Sequence, residues 1–434
     1  MRTLPILSVI LGVFALACET TPPNINRDDD IAPAWRHVQT VRAGAADNSE
    51  VVKMLADGEY AILVASKARK LTLLRVTEAG LAPTRTVSLF TEDGGESELT
   101  HVDLNADETF AAVTRTIPHF VDGELVACGG TLVFVDITDT ARFGTVLSEI
   151  EVGPMPDAVD ISGDDRWAVT ADEVDYNDGK CALASATASV TVIELPAGDP
   201  AQARVRAQIT MVDDVEGLRR EPEQAVFGPD DDQVAVTLQD THEVLLFRVS
   251  AVVGTDSAPA ALTTDGLTII RLPNRSTGAA PWPDGVIAFT DAGGVGYFAV
   301  AGEYNDTITV LSLGGAVVAQ IELRQSDFPS DLPRNLEDWS HAPFRPDSAT
   351  AFQYAGRRYL AFSLKHAGAV GVWRVDDVNA IEMVSVVKVG DADEGTPTTE
   401  SSIGTEGISA NGRGLIVTAN EGESSISLVA PLGR

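Results

Sequence analysis

Short apolar runs alternate with polar turns along this chain from about residue 35 to its end, and none continues with the three-and-four spacing of an amphipathic helix. The stretch EPEQAVFGPDDDQVAVTLQDTHEVLLFRVS shows the unit. Glu223 leads an apolar strand, Ala225 to Phe227, and Gly228-Pro229-Asp230-Asp231 supplies a tight turn. Val234 to Leu238 is a second, β-branched-rich strand, and Val244 to Val249 a third. PDAVDISGDDRWAVTADE followed by ASVTVIEL repeats the course, as does TEGISANGRGLIVTANEGESSISLV. Seven such units open at Glu50, Thr100, Asp157, Glu223, Asp284, Asp347 and Glu406, at intervals of 50 to 66 residues. A period of that length belongs to radial or stacked repeats. The pattern predicts an all-β, seven-bladed β-propeller, with a solenoid of strand pairs as the alternative.

A fourth strand follows each third one, Met383 to Val389 being an example, but the last unit ends too soon to have its own. Trp35 to Val41 is a strand without a unit, directly before Glu50. It is therefore expected to complete the last blade and close the ring, removing unpaired sheet edges.

First strands of a propeller are innermost, and the loops between second and third strands emerge where those first strands begin. Two acidic sets should then share one face. The opening set is Glu50, Asp157, Glu223, Asp284, Asp347 and Glu406; the loop set is Asp172 and Glu173, Glu303, and Glu421 with Glu423. The densest patch, ADEVDYNDGK, lacks the twelve-residue spacing of a calcium loop. Two readings stay open for the ring. Carboxylates and nearby carbonyls suit a hard cation such as calcium. A carboxylate opening an inner strand also serves as a latch, accepting backbone N–H groups of the next blade.

The ends and the charge place the molecule. Residues 1–17 read as a signal peptide, with Arg2, an apolar run from Leu4 to Ala17, and Ala15-Leu16-Ala17-Cys18 at the cut. The run is shorter than the roughly 20 residues a bilayer span needs. Cysteine right after such a cut resembles a bacterial lipobox, which implies a lipid on Cys18; an ordinary secretory cut is the alternative. Residues 18–33 have no apolar periodicity and read as a solvated tether, leaving 34–434 for the propeller. The expected location is the bacterial cell envelope, at the outer membrane or in the periplasm, with membrane contact through the lipid alone. A net charge of −33 argues against nucleic acid and for cations or cationic partners. With Cys18 acylated, Cys128 and Cys181 remain as a pair in an oxidising compartment. Both are expected in second-to-third-strand loops of neighbouring blades, where a disulfide would close about 50 residues and contribute roughly 3–4 kcal/mol. Two free thiols are the alternative.

Catalytic signatures are sparse. There is no Gly-x-Ser-x-Gly elbow, and His37, His101, His119, His242, His341 and His366 form no metal-spaced pair. His101 follows Thr100, the one non-acidic opening residue, and reads as a rim histidine. Trp339, before the sixth unit, reads as packing for a long loop.

In order, EPEQAVFGPDDDQVAVTLQDTHEVLLFRV, WPDGVIAFTDAGGVGYFAVAGEYNDTITVL, RPDSATAFQYAGRRYLAFSLKHAGAVGVWRV and TEGISANGRGLIVTANEGESSISLV resemble the propeller repeats of the choice-of-anchor I family. That family includes the mesenchyme-specific cell-surface glycoproteins, and bacterial YVTN-type surface propellers are more loosely similar. The resemblance is best over 150–430 and weaker over the first two units. It implies an extracellular propeller held by a variable anchor, with no established enzyme activity. The family's acidic insertion after the first blade's second strand is replaced here by the short, basic ILVASKARKLTLL. The resulting expectation is a monomeric binding scaffold, with calcium as candidate cofactor and a protein or glycan partner. The rival class is a metal-dependent hydrolase of phosphoesterase or lactonase type.

Overall fold

The computed structural model describes residues 34–42, 48–90, 97–174, 183, 186–214, 217–254, 259–336, 340–390 and 401–432. Cys18, Cys181, Trp339, the signal segment and the tether lie outside them.

The described chain forms seven blades of four antiparallel strands, one of which takes a fifth strand in parallel. The first runs Ser49–Met54, Tyr60–Ala65, Lys70–Thr77 and Gly80–Ser88, inside to outside. The others start at Glu98–Leu104, Pro156–Ile161, Pro222–Phe227, Pro283–Thr290, Pro346–Tyr354 and Thr405–Ala410. Second strands are covered on both faces by neighbouring blades, so burial does not alternate along them; Gln233–Leu238 is buried at every position. Seven apolar clusters result, one at each seam between blades.

Closure follows the expected route. Trp35–Arg42 pairs antiparallel with Ser425–Pro431 and becomes the outer strand of the seventh blade. The Gly228–Asp231 turn is also as read: the Asp231 N–H donates to the Gly228 carbonyl (3.1 Å), with Asp231 at φ +56°. Its carboxylate accepts the Gly163 N–H of the preceding blade (2.7 Å), and Asp165, at φ +57°, accepts the Ala106 N–H (2.6 Å) in the same way. Acids in the left-handed region of these turns thus tie blade to blade on the face away from the carboxylate ring.

Two features depart from the repeat. The fourth blade's third strand, Glu243–Arg248, leads into a short helix, Val249–Val252, and then Ala260–Thr263 adds parallel to the outer strand of the third blade, Arg204–Thr210. Only afterwards does Thr268–Arg271 complete the fourth blade. In the second blade, Phe110–Val121 and Glu124–Asp136 extend past their neighbours as a hairpin turned by Asp122 (φ +53°) and Gly123 (φ +82°). Cys128 therefore lies in a strand, opposite Pro118, and not in a loop as expected.

Candidate functional site: a carboxylate-rimmed channel

In every blade the first strand slips register close to its start, as between Pro156 and Ala158, Pro222 and Ala225, or Pro283 and Val286. The opening residue sits at this bulge, released from the ladder and turned to the axis. Glu50, Asp157, Glu223, Asp284, Asp347 and Glu406 accordingly line one cavity of about 440 Å³ on the ring axis, as does Thr100. At the other end of the same strands the lining becomes apolar, with Met54, Ile287, Ala288, Ala351 and Ala410.

Two groups of three carboxylates converge, with oxygens within 4.8 Å of one another: Asp157, Glu173 and Glu223, and Asp284, Glu303 and Asp347. Burial first, and then the charges of Glu173, Asp284, Asp157 and Glu221, push Glu223 well above the usual carboxylate range. Asp284 is pushed up likewise, by burial and then by Asp347, Glu303 and Asp157. Neither side chain accepts a hydrogen bond from a described residue. The second group is partly answered by the chain's own cations. Arg345 bonds Glu303 (Nε to Oε1, 2.6 Å), and Lys365 bonds Glu406 and approaches Asp347 to 3.8 Å. Arg345 is held in place by an aromatic column: its guanidinium lies 5.2 Å from the Tyr304 ring, Tyr304 stacks on Trp282 at 4.7 Å, and Trp282 meets His242 at 5.4 Å. Buried Asp306 accepts the Arg345 N–H (2.8 Å) and is pushed up to about 7 by burial.

A latch of the expected kind is formed by residues further along the strands. Asp103 accepts the Ile161 N–H (2.7 Å), Asp160 the Phe227 N–H (2.7 Å) and Ser409 the Met54 N–H (2.9 Å), each three residues past an opening position. Gln224 does the same for Val286 (2.8 Å). Thr100 joins this set, its hydroxyl bonding the Pro156 carbonyl across the seam. Lys53 pairs with Asp103 at 2.6 Å. His101 also lines the channel; burial, then Lys53, lower it to about 4, so its imidazole is neutral.

The loop set divides. Glu303 and Glu173 reach the ring. Asp172 does not: it points into its own blade, fully buried, and accepts from Thr170, Ser189 and Thr191 at 2.6–2.8 Å. Burial raises it to about 6 against those hydroxyls. Glu421 accepts from the Asn48 amide (2.8 Å) at the seam between the seventh and first blades, and Glu423 lies 3.9 Å from Arg42 within the seventh blade.

Fold and site together define a closed seven-bladed propeller with an acid-rimmed channel. Over residues 50–246 the sequence matches the family model of the Choice-of-anchor I domain. The match takes in the first two blades, where the resemblance was expected to be weaker, and ends in the fourth. No curated protein matches. Among solved structures, a streptogramin B lyase is similar at 11% identity and a TM-score of 0.56, covering 91% of this chain and 98% of that one. A chain of the mitotic checkpoint complex aligns at 10% identity and 0.56, covering 97% and 99%. A hydrazine synthase chain of Kuenenia stuttgartiensis aligns at 13% and 0.55, covering 89% and 96%. At these identities the likeness is one of fold.

Proposed function

We propose that this chain is an exported, lipid-anchored interaction scaffold whose acidic channel mouth holds a divalent cation, calcium by donor type, and meets a protein or glycan partner there. The family's name supports attachment at a surface. The observation that carries the cation is the crowding of Glu223 against Asp157 and Glu173, and of Asp284 against Glu303 and Asp347, two groups each with oxygens within 4.8 Å of one another and with charges that repel. Oxygens at that spacing suit an ion with bonds of about 2.3–2.6 Å and flexible geometry. We also pair Cys128 with Cys181; the bonded state of the Cys128 sulfur supports this.

Calorimetric titration of calcium into the chelated protein tests the cation. Heat of binding is expected for the native sequence and none for Glu223→Gln with Asp284→Asn. Equal heats from both proteins would remove the ring as the site. The rival hydrolase reading uses the same carboxylates, and it requires calcium-dependent turnover of a phosphoester or lactone that the double variant abolishes.

A further inference from the structure

We infer that the chain enters the ring on the face opposite the carboxylate mouth, so that attachment through its N-terminal segment turns the mouth away from the attachment surface. The inference rests on strand direction. First strands begin at the mouth, where Glu406 is second in Thr405–Ala410, and run to the far face. The second strand, Ile416–Asn420, returns to the mouth, and the third, Ser425–Pro431, runs away again. Trp35–Arg42 is antiparallel to that third strand, with Trp35 opposite Pro431 and Arg42 opposite Ser425. Trp35 therefore lies on the far face and Arg42 at the mouth.

Independent contacts agree. The Ala34 carbonyl accepts the Leu432 N–H (2.7 Å), and the Trp35 indole donates to the carbonyl of Gly414 (2.8 Å), in the far-face turn between first and second strands. Arg413 of that turn approaches Glu78, in the far-face turn of the first blade, to 3.6 Å. Arg42, at the opposite end of the entering strand, lies 3.9 Å from Glu423 on the mouth side. Trp35 is also packed among Phe352, Tyr354 and Tyr359, which fixes the point of entry rather than leaving it on a loose strand.

Ala34, the entry point, is bonded on the far face, about one six-residue strand or roughly 20 Å from the mouth, so a pull applied from the N-terminal side acts on that face. The mouth then meets soluble or opposing partners instead of the anchoring bilayer.

The test uses the full chain with one fluorescent amino acid, genetically encoded to leave the cysteines untouched, at Ser402 on the mouth side or Arg413 on the far side. Energy transfer to acceptor-labelled lipid is measured on vesicles. Flotation with the vesicles first decides whether the chain is lipid-attached; if it is not, an N-terminal histidine tag on nickel-chelating lipid supplies the same attachment. In either case transfer should be severalfold stronger from position 413 than from 402. Equal transfer, or stronger transfer from 402, would overturn the orientation, whatever the flotation shows about the lipid.

Discussion

Trp35→Ala should destabilise the propeller by about 3–5 kcal/mol, the usual cost of emptying a buried aromatic site. The indole is 4% exposed, with ring centroids of Tyr359, Phe352 and Tyr354 at 5.1, 6.0 and 6.1 Å. Its N–H also satisfies the Gly414 carbonyl, an acceptor the variant leaves without that donor. The larger consequence concerns closure. Among the described residues, Trp35–Arg42 is the strand paired with the outer edge of Ser425–Pro431, and a released edge is a template for pairing with another chain. The urea midpoint should fall, and light scattering should rise near it. A variant with the native midpoint and no added scattering would show that closure does not depend on this strand's anchor.

Asp103→Ala should cost roughly 2–4 kcal/mol, because it breaks a cross-blade contact on both sides at once. The carboxylate, 4% exposed, accepts from the Lys53 ammonium of the first blade and the Ile161 N–H of the third. Burial lowers Lys53, but Asp103 and Asp160 outweigh it and hold the ammonium above its ordinary value. Burial, then the Asp103 charge and a hydrogen bond with the Asp103 side chain, push Asp160 well above the usual range. Removing Asp103 takes the central acceptor from this cluster. Asp103→Asn, which retains an oxygen for Ile161, should lose clearly less in the same urea unfolding. Equal losses for alanine and asparagine would assign the effect to packing and not to the latch.

Much of this was legible beforehand, for identifiable reasons. The opening residues Glu50, Asp157, Glu223, Asp284, Asp347 and Glu406 repeat at a structural period, and a period is visible without coordinates. The latch at Asp103 and Asp160 was missed because sequence does not show which strand residue faces a seam and which faces the axis. Asp172 was assigned to the channel for a related reason. Successive strand residues point to opposite sides, so of the pair Asp172–Glu173 only Glu173 faces the ring. The hairpin carrying Cys128 did have a signal, Asp122-Gly123 between apolar residues, which favours a two-residue turn. The detour of Ala260–Thr263 onto the third blade had none, since any β-competent segment can add to an open edge.

Thermal unfolding of the chelated chain, with and without millimolar calcium, at pH 7.5 and again at pH 5.5, tests most directly whether the ring is a cation site. Raised carboxylates stabilise the fold below their ordinary pKa, and that contribution is lost as pH rises through the folded value. Asp172 at about 6, Asp306 at about 7, and Glu223 and Asp284, both raised, share this sign. Buried His101 and half-buried His242, both lowered, act the other way on acidification but are two groups against four. Without calcium the midpoint should therefore be higher at pH 5.5 than at 7.5. Calcium should raise it by several degrees at pH 7.5, by mass action on the native state, and by much less at pH 5.5, where protons compete for the same oxygens. A midpoint indifferent to calcium at pH 7.5 would contradict the cation site and leave the carboxylate ring a structural feature of the propeller.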